Sequence, residues 1–599
     1  MNESRISFWK IFWPTLVAVL IAFIVWVLFF FGVIGGLVAV FSSDKDDSID
    51  KKTILKMSLK GVLAENSDAQ LDPYSFSIER KTGLSDLLYG LDKAEKDENI
   101  SGIYLELDGL NCGVSTAREL REALIHFQNS GKFVVAYSSG ELISLKQFYL
   151  TSAIKENYAF PTTRIEFLGL GSQYSYFKNM LDKLGVEMQV IRGRDNHFKS
   201  AVEPYLFSQM SDSSRLQTQR ILNQIWATIR TDVSQSIHID TAKLQNFAIK
   251  ASVNSAFSAQ KMHFFNKVAY YDEVLELLKT KVKAKTLDDL KFYDFEKYAR
   301  TNFYKDQALK VVSKPNIAVI LAEGGIDVSG SELSSDNVAS YIREARLDKN
   351  IKTIVLRVNS PGGSALASDI IWREVYLANK AKTVVVSMGD VAASGGYFIA
   401  CPASYIFAQP TTITGSIGVF GVIPFTGKFF EDKLGVTFDN VSTGPHAVLS
   451  TNKKLSPKEI GIIQSEVDMI YNQFLGRVSE GRKLTMNQVH NIARGRVWTG
   501  SDAKKIGLVD ELGGLKDAID FAAKKKNIQD IRLKYWPLKE IDPFEELVDQ
   551  LESMKKDKKN NVLVSTKLPS YIRKYWSELQ KLETYSGIQM RLPIEYTLE

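Results

Sequence analysis

A serine stands among small residues in GDVAASGGYFIA (389–400), directly after the apolar run TVVVSM (383–388). Small neighbours let a substrate carbonyl approach the Ser394 hydroxyl. A helix starting at YFIACPA would leave Gly395 and Gly396 with free backbone N–H groups near its positive end. A second glycine loop, NSPGGS (359–364), follows another apolar run, TIVLRV (353–358). Two backbone N–H donors aimed at a developing oxyanion are what acyl transfer needs. Gly395 is one candidate, and Gly362 or Gly363 the other. The architectural alternative is that Gly395 and Gly396 only let a helix pack closely on a sheet. No base stands at a recognisable spacing from Ser394. The first histidine downstream is His446, in PHAVL, and a histidine triad through it is one reading.

The elements that would carry these loops occur twice. ISGIYLELD (100–108) answers IKTIVLRVN (351–359), and Pro161-Thr162-Thr163 answers Pro410-Thr411-Thr412. LDKLGV (181–186) answers EDKLGV (431–436). Several matches in one order near a single offset, about 250, mark an internal repeat. Each copy alternates β-branched runs (ILKMSL, IYLEL, FVVAY; then NIAVILA, TIVLRV, TVVVSM) with helix-like segments. That grammar predicts an α/β fold of mainly parallel sheets, with reactive groups at the carboxyl ends of strands.

The two copies differ where chemistry would sit. Ser394 falls over Leu145 of the first copy, and SPGGS over GLNCG (109–113). In the other direction, DNHFKSAVEPY (195–205) falls over TGPHAVLST, with Lys199 over Val448. A lysine acts as a base only when neutral. Its ordinary pKa of ~10.4 must fall to roughly 7–8, and burial among apolar groups does that. Phe198, Ala201, Val202 and Tyr205 are suitable neighbours, whereas Glu203 would oppose the shift if it faced the amine. Any one lysine is ordinarily a solvated surface residue.

Five stretches, FKSAVEPY (198–205), RVNSPGGS (357–364), MGDVAASGGYFIACPA (388–403), TTITGSIGVFGV (411–422) and RGRVWTGSDAKKIGLVDELG (494–513), together resemble the signal peptide peptidase A (protease IV) family in its long, duplicated bacterial form. The resemblance covers about residues 53 to 540. It implies two tandem units of the Clp-protease and crotonase fold. It also implies a serine–lysine dyad with Ser394 as nucleophile and Lys199 as general base. Ser416, otherwise a turn hydroxyl, would orient the lysine. Gly395 with Gly362 or Gly363 would hold the oxyanion. No metal or cofactor is implied. The implied substrates are released signal peptides and other unfolded apolar peptides, and the implied assembly is a homotetramer. Two rivals remain at this point. A crotonase-like acyl-CoA enzyme would use the same N–H donors without a serine nucleophile, and an inactive membrane scaffold would keep only the fold.

Bulk properties agree with a multidomain globular chain. It has 599 residues, 45% of them hydrophobic and 24% charged, which excludes wholesale disorder. A net charge of +6 is weak at this length and argues against a nucleic-acid partner. Two distant cysteines, Cys112 and Cys401, make a disulfide framework unlikely, and no HExxH or CxxC suggests a metal site. Residues 11–43 contain no charge and predict a single transmembrane anchor, too long for an ordinary signal-peptide core. Arg5 and Lys10 precede it, which places the N-terminus (1–10) in the cytoplasm and the bulk of the chain outside a bacterial inner membrane. A linker (44–52), a lysine-supplying repeat (53–300), a serine-supplying repeat (316–540) and a C-terminal extension (541–599) complete the expected organisation.

Overall fold

The computed structural model describes scattered positions from Phe12 to Trp26 and residues 49–66, 68–71, 78–81, 83–193, 195–300, 302, 314–329, 333–537 and 588–592. Most of the expected anchor, and the extension apart from 588–592, lie outside these residues. Among the described residues no helix is long and apolar enough to cross a membrane.

The β-branched runs become parallel strands. In the first repeat six strands line up in the order Lys267–Val268, Glu156–Ala159, Phe133–Ser138, Ile100–Asn111, Thr53–Val62, Phe292–Asp294, every pairing parallel. The second repeat repeats this order with Glu511–Leu512, Tyr405–Ala408, Thr383–Ala393, Thr353–Ser360, Ile317–Glu323 and Leu533–Trp536. Matching strand order makes the duplication structural as well as sequential. Strands covered on both faces read as continuous apolar runs, not alternating ones. In the second sheet Ala318, Ile320, Ile354 and Leu356 face the helices Ser335–Leu347 and Ala365–Ala381. Ile317, Val319, Val355 and Val385 face Leu515–Lys525 on the other side.

The stretch after TVVVSM is not a loop. The strand continues to Ala393 and changes partners on the way. Val385–Met388 pairs with Tyr405–Ala408, and Val391–Ala393 pairs with Ile413–Gly415. An irregularity in the register against Thr353–Ser360 accompanies the change. The strand thus delivers Ser394 beside TTITGSIG, a neighbour that a loop would not have specified.

The repeats are joined by polar groups as well as by apolar packing. Glu187–Arg192 of the first pairs antiparallel with Phe420–Phe425 of the second. Arg357, fully buried, meets Glu65 at 2.8 and 3.0 Å and Glu119 at 2.8 Å, both carboxylates coming from the first repeat. Burial pushes the Glu119 carboxyl up, to about 7, despite the attraction of Arg357. Asp390, four residues before Ser394, caps a helix of the other repeat. The helix Val114–Asn129 has no capping side chain of its own at Gly113, and Asp390 Oδ1 accepts from Ser115 N (2.8 Å) and Thr116 N (3.1 Å). A Cβ on Gly113 would lie 2.0 Å from the Asp390 carboxyl carbon, so only glycine admits this cap.

Replacing Asp390 by alanine is expected to cost about 1–2 kcal/mol in urea unfolding, the usual loss for an N-cap. Gly113→Ala should match or exceed that loss, because the cap is displaced as well as weakened.

Candidate active site

Ser394 sits at the junction of the strand Thr383–Ala393 and the short helix Gly395–Ala400. Its backbone has φ 56° and ψ −115°, a conformation that costs a non-glycine residue about 1–3 kcal/mol. Bonds on both sides hold it there: Ser394 N donates to Gly415 O at 2.8 Å, and Phe398 N to Ser394 O at 2.8 Å. Small residues are required around it. A Cβ on Gly396 would lie 2.6 Å from the Ser360 carbonyl, and one on Gly395 would lie 2.6 Å from Ser368 Oγ.

Lys199 reaches this serine from the other repeat. Its Nζ is 2.8 Å from Ser394 Oγ, 2.9 Å from Ser416 Oγ and 3.0 Å from Ser416 O. Lys199, Ser394 and Ser416 are all fully buried. Burial alone holds the Lys199 amine well below the usual lysine range. Glu203 does not oppose it, because that carboxylate accepts from Ser211 Oγ (2.6 Å) and Ser211 N (3.2 Å). His446 faces Glu459, 3.5 Å away, so the histidine alternative has no geometry behind it.

The loop 494–496 binds the two halves of the site together. Phe198 N donates to Arg494 O at 3.1 Å, Gly495 N to Ile417 O at 2.8 Å and Ser416 N to Arg496 O at 2.7 Å. Gly495, at φ 75°, lies so close that a Cβ there would be 2.5 Å from Lys199 Cβ and 2.6 Å from its N. Spacing in the sequence singles out neither this glycine nor Ser360. The RGRVWTG motif that contains Gly495 was the signal available. Ser360 Oγ takes the Gly362 N–H at 3.1 Å and donates to Gly324 O at 2.7 Å. Gly362 N–H is therefore occupied. Ile326 N donates to Gly362 O (3.0 Å) and Ser364 N to Ile326 O (2.8 Å). Groups alternate along a strand, so the Gly363 N–H faces the opposite way, toward the strand Ile588–Arg591 paired with it.

The sequence profile of peptidase family S49 matches residues 126–285 and 377–529, one match in each repeat. The chain belongs to peptidase family S49. Protease 4 of Haemophilus influenzae is 33% identical over 93% of this chain and 94% of its own. Protease 4 of Salmonella typhi is 37% identical over 76% and 74%. Serine protease SPPA, chloroplastic, of Arabidopsis thaliana is 32% identical over 80% and 70%. This S49 chain is accordingly a serine protease. Among solved structures, a ClpP1 mutant from Listeria monocytogenes overlaps 35% of this chain and 98% of its own at 18% identity, with a TM-score of 0.24.

Two outcomes follow for this S49 site. Gly495→Ala should abolish most activity while the chain stays folded by circular dichroism, since the added methyl displaces the Lys199 backbone. Lys199→Met should raise the thermal midpoint at neutral pH. An amine depressed in the folded state takes up a proton on unfolding at any pH between its folded value and ~10.4. Wild-type stability therefore climbs with pH across that window, and the methionine variant should lose the slope.

Proposed function

We propose that Ser394 and Lys199 form the catalytic dyad of a membrane-anchored endopeptidase that degrades released signal peptides and other unfolded apolar peptides. The observation that carries this reading is the 2.8 Å approach of a buried, carboxylate-free lysine amine to the Ser394 hydroxyl. A neutral amine has two N–H bonds and one lone pair. Ser416 O can only accept, and with Ser416 Oγ it occupies both N–H bonds. The lone pair is left pointing at Ser394. Ser416 is thus a positioning residue, and Lys199 the general base.

In the reaction Lys199 takes the Ser394 proton as Oγ attacks the peptide carbonyl. The N–H groups of Gly395 and Gly363 hold the oxyanion, and Gly362 shapes the turn between them. Lysine then protonates the leaving amine, and water hydrolyses the ester by the same route. No step calls for a metal or cofactor.

An Enterococcus faecium protein whose name designates it a signal peptide peptidase, SppA, is 31% identical over 40% of this chain and 70% of its own, which supports the substrate assignment. The uncharged run 11–43 supports the anchor, with the catalytic region on the extracytoplasmic side of a bacterial inner membrane. Anchoring would keep the site near the bilayer where apolar remnants lie. A homotetramer is the assembly we expect, to be checked by light scattering of the solubilised chain.

Ser394→Ala should lower peptide hydrolysis by at least about 10³-fold, and Lys199→Met by about 10²–10⁴-fold or more. For the wild type, kcat/KM should rise with pH through one ionisation well below the ordinary lysine value. Ser416→Ala should lower kcat about ten-fold, the equivalent of one lost hydrogen bond, and should move that ionisation. Full activity in Lys199→Met would refute the dyad.

A further inference from the structure

The turn that carries Lys199 grips the second repeat at two points. Lys199 Nζ meets Ser416 O and Ser416 Oγ. Asn196, earlier in the same turn, meets Val419, further along the same strand: Asn196 Nδ2 donates to Val419 O at 3.3 Å. Gly193 N shares that carbonyl at 3.1 Å. The turn is closed by its own backbone. Asn196 N donates to Gly193 O at 3.2 Å, and Lys199 N donates to Asn196 O at 3.1 Å. Whatever fixes Asn196 therefore fixes the point from which the lysine side chain starts.

The Asn196 amide is enclosed on all the segments that build the site. The residue is 3% exposed. A Cβ on Gly193 would lie 2.7 Å from Asn196 Nδ2. One on Gly418 would lie 3.3 Å from that nitrogen and 2.9 Å from Gly495 Cα. The lysine turn, the strand after Ser416 and the loop 494–496 thus meet at one side chain. Its orientation is determined, because only the amide nitrogen can face a carbonyl oxygen. The other end, Asn196 Oδ1, is buried and has no hydrogen-bond partner among the described residues. Leaving a buried oxygen unpaired is costly. A leucine would fill the space without that cost, so packing does not account for an amide here. What the amide adds is its bond to Val419. An aspartate would lack the donor and would set a carboxylate behind the lysine turn, against the burial that favours a neutral amine.

We propose that Asn196 is a positioning residue for the peptidase reaction: its amide sets the register of the lysine turn on Ser416–Val419, and with it the reach of Lys199 Nζ to Ser394. The proposal rests on the serine–lysine reading above. No substitution removes the Val419 carbonyl, so the bond is tested from the Asn196 side.

The test is steady-state hydrolysis of an internally quenched apolar peptide by the full chain, followed across neutral and alkaline pH. Asn196→Ala should lower kcat about ten-fold, with KM changed by less than about two-fold. It should also raise the ionisation seen in kcat/KM, because a loosened turn admits water to the amine. Asn196→Asp, of the same size, should lose more at neutral pH and regain activity at alkaline pH. Its carboxylate should draw that ionisation upward by about one unit. Gly193→Ala, whose methyl displaces the amide, should reproduce Asn196→Ala, and it carries the same reading should an Asn196 variant fail to fold. An ionisation that stays at its wild-type value in the folded variants, whatever happens to their thermal midpoints, means a merely structural amide and overturns the proposal. Full activity in Lys199→Met would instead overturn the dyad, so the two failures are distinguishable.

Discussion

Lys199 keeps its amine fully buried, with three oxygens around it and no carboxylate. Removing a cation from water without a counter-charge is costly, and that cost pulls the amine toward its neutral form. The surroundings must therefore be complete, because water entering the site would restore the charge. Much of the structure serves that enclosure. The first repeat contributes the lysine, the second contributes the two serines, and the loop 494–496 closes over both. Gly495 matters because a larger residue would open the contact through which water is excluded.

The interface between the repeats has to be rigid for the same reason. A shift of an ångström would separate amine from hydroxyl. Arg357 with Glu65 and Glu119, Asp390 on the helix Val114–Asn129, and Asp502 with Arg220 (2.8 and 3.0 Å) each join residues more than 230 positions apart. A buried ion pair such as Arg357 with Glu65 and Glu119 adds little net stability against apolar packing, yet breaking it strands a charge. Such contacts act more as registration marks than as glue. The strained Ser394 backbone fits this view, since an unusual conformation persists only where the surroundings over-determine it.

Much of this was legible in the chain itself. The β-branched runs gave the strands, and their recurrence gave two sheets whose orders agree. Complementary losses between the copies (Leu145 for Ser394, Val448 for Lys199) pointed to a site shared between them. Other features left no local trace. The partner change of the strand at Val391 depends on TTITGSIG approaching from outside its own run. Gly362 and Gly363 look alike in sequence, and only the Ser360 hydroxyl tells their N–H groups apart. Glu203 reads as a threat to the lysine until Ser211 is seen to engage it. IQMRL is too short to carry a period, and its partners lie about 170 and 225 residues away.

Ile588–Arg591 is hydrogen-bonded along both of its edges, and any peptide that replaces it must offer the same. A helix offers neither edge, because its backbone groups bond to one another. A strand at the rim of a folded sheet offers one, the other being already committed. Only a chain released from all secondary structure presents both at once. The slot between Gly362–Ser364 and Phe420–Phe425 is therefore matched to a chain held in no other secondary structure.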